Sequence, residues 1–562
     1  SVTAAAGGAA GAGATASPPA WARELATLYE SGAACQFVLH GNVYDRLMVP
    51  RAGGAATPGN LREFLLAELL APFDVVLAYD LGNGIRVERG GDAFSSWPGA
   101  QRLGELPRAP RPAVEALTHY LRYAANLARL GKPAPRVAVL LEAAEMIAPA
   151  GDAGGFEQGA IVLLLREWAN DSLIAGHPVA TFLIAENLND LHPLLATNPH
   201  TAKIKLPLPE APALAAALAV LEPAYAAPLA PWAGRLDALA NQLAGVALGS
   251  VEQLLKTARH EGKPVDPARL VTLKKSLVEK EYSGLVGFVE SARTLDDIHG
   301  SERVKAWLRQ DIALWRQDDL RALPMGYLFC GPVGTGKTFF VECLAGEAGV
   351  PVVKLRNFRD KWVGSTEGNL ERIFRLLHAL GRCIVFVDEA DQALGRRESG
   401  SGDSGVSGRV YSMIAEEMSD TDNRGRILWV LASSRPDLIE VDIKRPGRID
   451  VKIPLFPTLE PREGFALLRA LCKRLGLAIP DEAYASLEPR IPEMLTPGAA
   501  EALAVKAYRL SRTQGLGPVE SVAACLEGYQ LPVPRDVMEF QIGLAVREAS
   551  DLEFVPEKLR PR

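Results

Sequence analysis

From residue 18 to about 210, short apolar runs alternate with longer stretches of helical spacing. CQFVLHG (35–41), FDVVLAYD (73–80), RVAVLLE (136–142) and ATFLIAE (180–186) have the length and β-branched content of buried strands. NLREFLLAELL (60–70), AVEALTHYLRYAANLARL (113–130) and GAIVLLLREWANDSLI (159–174) place apolar residues three and four apart, as helices do. Strands alternating with helices predict a parallel α/β sheet. The strand-like runs then stop, and an Ala- and Leu-rich helical stretch fills 211–282. A second α/β stretch is predicted over 283–457 and a second helical one, lid and tail, over 458–562. The order α/β, helical, α/β, helical suggests an internal duplication. Residues 1–17 contain only Ala, Gly, Ser, Thr and Val. They bury too little to offset their ordering entropy and are expected to be disordered; they also lack the basic start of a signal peptide.

The second α/β stretch carries the clearest chemistry. YLFCGPVGTGKTFFVECLAGEAG (327–349) is an apolar run, then G-x-x-x-x-G-K-T, then a helical pattern. That context is what a phosphate-binding loop requires. Gly331, Gly334 and Gly336 let the backbone curl so that N–H groups converge on phosphate oxygens. Pro332, Val333, Thr335 and Phe339 complete the cradle. The helix starting at Lys337 adds its positive dipole end. Lys337 would neutralise the outer phosphates and Thr338 would ligate Mg²⁺. CIVFVDEADQAL (383–394) reads as a buried strand that delivers Asp388 to the same metal and Glu389 as the base for an attacking water.

With these motifs in place, residues 283–510 resemble the AAA ATPases, particularly the katanin and spastin branch. The resemblance implies an ATP- and Mg²⁺-dependent enzyme acting as a ring, six subunits in most of the family, on a protein substrate. TLDDIHGSERVKAWL (294–308) resembles the segment that touches adenine around Ile298, with His299 where the family has Gly. LASSRPDLIEVDIKRPGRID (431–450) resembles the sensor-1 strand and arginine-finger turn. It implies Ser434 in place of the usual sensor Asn, and Arg445 and Arg448 as fingers for a neighbour's nucleotide. Ser has a shorter reach and one donor instead of two, which predicts slow hydrolysis. Gly498 and Ala499 match the lid segment, whose following Asp is here Ala500. RDKWVGSTEGNLERIF (359–374) resembles a pore loop, with Lys361, Trp362 and Val363 gripping a threaded chain. GRRESGSGDSGVSGR (395–409) reads as a second, mobile loop.

The first half can be laid on the second. Glu142 to Asn187 and Glu389 to Ser434 are each 45 residues apart. On that register VLLEAAEMI lies under FVDEADQAL, so Leu141 stands where the magnesium Asp is expected, and Asn187 lies under Ser434. HGNVYDRLM (40–48) takes the phosphate-loop place with one Gly and no Gly-Lys-Thr, and TNPH (197–200) takes the finger turn with no arginine. The first half therefore reads as a degenerate AAA module without a nucleotide site, followed by its own lid. The arrangement resembles tandem AAA proteins of cyanobacterial and chloroplast genomes.

Bulk properties narrow the rest. The formal net charge of −6 argues against a nucleic-acid motor. No run approaches 18 consecutive apolar residues, so no membrane span is expected. The six cysteines form no CxxC pair, which fits reduced thiols in the cytoplasm. Three functions remain open at this point: a threading or remodelling ATPase, a nucleotide-gated assembly chaperone or scaffold with incidental turnover, and, behind both, a nucleic-acid motor.

Overall fold

The computed structural model describes residues 17–151, 155–282, 284–356, 366–394 and 404–562, with side chains from 367 and 409 onward in the last two stretches. Two compact units emerge: residues 1–274 with the helical segment 367–379, and residues 275–366 with 380–562. The division falls inside the helix Leu270–Glu281 rather than at the expected 282/283 junction.

The first unit is built on strands β1 (Gln36–Gly41), β2 (Leu47–Arg51), β3 (Gly54–Gly59), β4 (Val75–Asp80), β5 (Gly84–Arg89), β6 (Val137–Leu141), β7 (Val179–Ala185) and β8 (Thr201–Leu206). Its main sheet runs β5-β4-β6-β7-β1-β8, and β2-β3 form a separate hairpin. The four apolar runs read from the sequence are its four central strands. They are apolar throughout because both faces are covered. Alternate residues go to opposite sides: Val75, Leu77, Val137, Val139 and Leu141 pack with Trp97, Tyr120 and Trp168. Phe37, Leu39, Val76, Leu140 and Phe182 pack on the other face with Trp21 and Phe64. Each fully buried large side chain of this kind contributes roughly 1.5–3 kcal/mol.

The second unit has β9 (Val286–Val289), β10 (Gly326–Cys330), β11 (Val352–Leu355), β12 (Cys383–Val387), β13 (Ile427–Ser433) and β14 (Val451–Pro454). Read from the opposite edge, its sheet is β9-β11-β12-β13-β10-β14. The two sheets match strand for strand, including an antiparallel edge strand in each. That edge strand has two origins: β5 follows β4 through a hairpin, whereas β9 precedes β10 in the chain. The five parallel strands are the duplicated part.

Each sheet is followed by helices. In the first unit Ala211–Trp232 is long and apolar enough by composition to cross a bilayer. It is broken by Pro223, Pro228 and Pro231 into short helical pieces. Leu214, Leu218, Leu221 and Trp232 of this stretch are buried in the unit. In the second unit the lid core, from Phe465 to Leu526, holds the helices Pro461–Arg474, Pro497–Gln514 and Pro518–Glu527. The expectation that 458–562 is all lid and tail needs correction. The helix Arg535–Glu548 packs back against β14 and β10, and Phe554 meets Trp307 edge-on at 5.4 Å in the α/β core.

Candidate nucleotide site

At the end of β10 the chain must pass close to the neighbouring strand. Gly331 has φ 157°, and a Cβ there would lie 2.1 Å from the Leu455 carbonyl oxygen. Only glycine allows that approach. Gly334 and Gly336 take φ 88° and 80°, the left-handed region, and bring the backbone round to the helix Lys337–Ala348. Gly336 has no side chain with which to cap that helix, so its first N–H groups remain available to an anion.

The expected metal and catalytic groups converge here. Thr338 Oγ1 donates to Asp388 Oδ2 at 3.1 Å. Asp388 Oδ1 accepts from the Glu389 backbone N–H at 2.9 Å. Glu389 takes the left-handed conformation, φ 48° and ψ 49°, at the start of the short helix Ala390–Ala393. Lys337 Nζ donates to the Gly331 and Pro332 carbonyls at 2.9 and 3.1 Å. Burial lowers the Lys337 pKa, and the charges of Asp388 and Asp391 oppose that shift. An ammonium so desolvated gains strongly from a phosphate partner. Thr338 and Asp388 supply the hydroxyl and carboxylate oxygens that suit Mg²⁺.

The surrounding residues tie the loop to the rest of the unit. Gly498 N donates to the Gly334 carbonyl at 2.9 Å, and Thr496 Oγ1 caps the lid helix by accepting from Ala499 N at 3.2 Å. Gly498 therefore touches the phosphate loop, while Ala499 bonds to the cap residue Thr496. Ile298 is buried, its carbonyl accepts from Lys305, and lid residue Arg474 donates to the Asp297 carbonyl. His299 is half-buried beside them, and burial, with the Lys305 charge, lowers its pKa. Ser434 follows the last residue of β13 and is half-buried. Arg445 is exposed and pairs with Asp442 at 3.5 Å, while Arg448 donates to the Asp442 carbonyl at 2.9 Å. Neither is among the residues just described around Lys337. Lys361, Trp362 and Val363, and most of 395–409, lie outside the described residues.

Three contributors were not singled out in the sequence. Lys354 on β11 stands 3.8 Å from Asp388 Oδ2. Gln541 Oε1, from the C-terminal helix, accepts from Val333 N at 3.3 Å. Ser433 Oγ donates to Asp391 Oδ1 at 2.6 Å. Of these, only the Ser433 partner Asp391 carried a signal, as the second aspartate of the DEAD run; Lys354 and Gln541 depend on long-range packing.

The first unit repeats this framework with the chemistry removed, and it corrects the sequence register. Gly41 keeps the strand-end role, with φ 100° and a Cβ that would lie 2.6 Å from the Leu206 carbonyl oxygen. After it comes the β2-β3 hairpin, not a helix. The helical turn that follows, Leu61–Phe64, is capped by its own Asn60, whose side chain accepts from Glu63 N at 2.8 Å. At the end of β6 the left-handed residue is Ala143, with φ 49° and ψ 52°. Ala143 thus corresponds to Glu389, and Glu142 to Asp388. Leu141 does not replace the magnesium Asp; it is a buried strand residue equivalent to Val387. Likewise β7 ends at Ala185 as β13 ends at Ser433, so Glu186, not Asn187, corresponds to Ser434. The true intervals are 44 residues from Glu142 to Glu186 and 46 from Asp388 to Ser434. The equal 45-residue spacing came from two one-residue errors of opposite direction.

The carboxylates at these two positions are both neutralised by arginines. Glu142 accepts from Arg62 at 3.2 Å and Arg86 at 2.9 Å. Glu186 pairs with Arg372 at 3.2 Å and Arg375 at 3.4 Å. Without a phosphate cradle, a P-loop lysine or a free carboxylate, these residues do not fit a metal-bound nucleotide.

Two family models match the chain. Residues 10–207 match the AAA+ chaperone N-terminal Rossmann-like domain, and residues 327–456 match the ATPase family associated with various cellular activities. Among curated proteins, the chain is 34% identical over 222 residues to the ATP-dependent zinc metalloprotease FtsH 1 of Symbiobacterium thermophilum. It is 31% identical over 171 residues to the cell division cycle protein 48 homolog of Archaeoglobus fulgidus, and 30% over 216 residues to the peroxisomal ATPase PEX6 of Dictyostelium discoideum. These matches cover 38%, 29% and 37% of this chain but only 37%, 23% and 18% of those proteins.

Proposed function

The chain belongs to the AAA+ ATPase family, and from that premise we propose that its second unit hydrolyses ATP to remodel or thread a protein substrate, while its first unit serves assembly or docking. One observation carries the reading: Thr338, Asp388 and Glu389 are held together at a glycine loop whose helix opens uncapped. Lys337 and the loop N–H groups bind the phosphates. Thr338 and Asp388 would hold Mg²⁺, which would supply positive charge to the phosphates. Glu389 takes the proton of the attacking water, and Ser434 orients the water or a phosphate oxygen. Ile298, His299, Gly498 and Ala499 line the base and lid side.

Arg445 and Arg448 act on a neighbouring subunit's nucleotide, so the working form is a head-to-tail ring, six subunits by family resemblance. Lys361, Trp362 and Val363 grip the substrate through apolar area rather than sequence readout. Six unpaired thiols fit a cytoplasmic setting. A second reading, a nucleotide-gated assembly chaperone, is favoured by Ser434, whose single hydroxyl would slow turnover. Paired measurements on Lys337→Ala and Glu389→Gln test the main reading. The first should lose ATP binding, and the second should bind without turnover. Equal ATPase rates for wild type and Glu389→Gln would overturn it. Trp362→Ala separates the two functions: a threading enzyme keeps basal ATPase and loses substrate processing, whereas a scaffold is unaffected.

A further inference from the structure

Ser433 is the last residue of β13 and is fully buried, yet its hydroxyl is doubly used. It donates to Asp391 Oδ1 at 2.6 Å and accepts from the Arg435 backbone N–H at 2.9 Å. Its carbonyl accepts from Gly331 N at 3.3 Å, the first glycine of the phosphate loop. One residue therefore joins the helix behind Glu389, the backbone on the far side of Ser434, and the phosphate loop. The hydroxyl bond to a carboxylate is charge-assisted, and it fixes the Ser433 rotamer. Ser434 lies between the two tethered points, Ser433 Oγ and Arg435 N.

The first unit supplies an internal comparison. There Ala185 takes the place of Ser433, so no hydroxyl is available. Glu145 takes the place of Asp391; it is half-buried and lies beside Tyr44. The pair is missing from the unit whose nucleotide site is missing.

We propose that Asp391 is a positioning residue that sets the backbone of sensor residue Ser434 through the Ser433 hydroxyl. The inference rests on the ATPase reading above. Asp391 acts at one remove: its carboxylate orders Ser433, and Ser433 orders the turn that presents Ser434. Removal should therefore lower kcat without changing nucleotide affinity.

The test is steady-state ATPase on the full chain, with binding of a non-hydrolysable analogue measured in parallel. Asp391→Ala and Ser433→Ala should each lower kcat roughly ten- to a hundredfold, the scale of a lost hydrogen bond to a charged group. Analogue affinity should stay at the wild-type value. Asp391→Asn and Ser433→Thr preserve the acceptor and the hydroxyl, and should remain within about threefold of wild type. The double variant Asp391→Ala/Ser433→Ala should be no slower than either single one, because both remove the same bond. Wild-type turnover in either alanine variant, multiplied losses in the double variant, or equal losses in Asp391→Asn and Asp391→Ala would overturn the proposal. Loss of nucleotide affinity in step with kcat would also overturn it, by showing a merely structural role. If Asp391→Ala fails to fold, Ser433→Ala, which deletes one oxygen, decides the matter. Lys337→Ala and Glu389→Gln serve as controls. If wild-type turnover does not depend on them, the ATPase reading itself fails and this inference with it. If they abolish turnover and Ser433→Ala does not lower it, only the positioning role fails.

Discussion

Ala143 and Glu389 hold the same left-handed backbone conformation, φ 49° and ψ 52° in one, φ 48° and ψ 49° in the other. Each follows a carboxylate at a strand end and opens a short helix. For an L-residue this conformation costs about 1–2 kcal/mol. In the second unit the residue so held is Glu389, the proposed base; in the first it carries only a methyl group. Ala143→Gly should relieve that strain and stabilise the first unit by about 0.5–1 kcal/mol, read as a raised calorimetric transition. An unchanged or lowered transition would show that the turn is unstrained.

Much of the architecture was legible because buried parallel strands are continuous apolar runs. All four runs read in the first half became strands, and the P-loop motif fixed β10 and its helix. The β2-β3 hairpin was missed, because LMVPR and GAATPG carry neither an apolar alternation nor a tight turn pair. The register of the decayed site was misread for a different reason. Once Asp and Glu no longer mark their positions, a strand such as VAVLL can slide by one residue and look equally buried. Only backbone geometry at Ala143 and strand pairing at Ala185 locate it. Gln541 could not be found at all, since its role depends on a helix returning to the loop from more than 200 residues away, Val333 N to Gln541 being a separation of 208.

In the first unit a carboxylate from the loop after β1 caps a helix of the region that follows the sheet. Asp45, in the loop after β1, accepts from Leu248 N at 3.0 Å and Gly249 N at 2.8 Å, the first residues of the helix Leu248–Glu261. Asn42 Nδ2 holds the same carboxylate at 2.8 Å. Asp45→Ala should cost about 1–2 kcal/mol, the worth of a charged cap at a helix N-terminus. Amide exchange at Leu248 and Gly249 should quicken and should not respond to ATP. Exchange that stays slow without Asp45 would show that other contacts hold this helix.

Glu371, in the segment grouped with the first unit, accepts from Asn189 at 2.8 Å. Burial pushes its carboxyl up from 4.5 to about 7; Asp190 and Glu367 act the same way, while Arg375 and Lys205 oppose. The folded chain therefore keeps a proton that the unfolded chain releases between about pH 4.5 and 7. Its contribution to stability falls as pH rises through that window and is level above it. Glu371→Gln, which keeps an acceptor for Asn189, should melt higher than wild type at pH 8 and converge with it near pH 4. A constant difference across that range would exclude titration of Glu371.

The exposed Arg445 and the neighbouring Arg448 predict complementation between subunits. Each alanine variant should lower turnover, by up to roughly 10³–10⁵-fold for a full finger role. Mixing Arg445→Ala subunits with Glu389→Gln subunits should restore part of the activity, because an intact finger then meets an intact site. Absence of rescue at every mixing ratio would place both arginines outside a shared site.

Titration calorimetry of the full chain with a non-hydrolysable ATP analogue and Mg²⁺ tests most directly whether one unit is live and the other is closed by its own side chains. The structure predicts one equivalent bound per wild-type chain and none in Lys337→Ala. Two equivalents per wild-type chain, or one retained by Lys337→Ala, would contradict it.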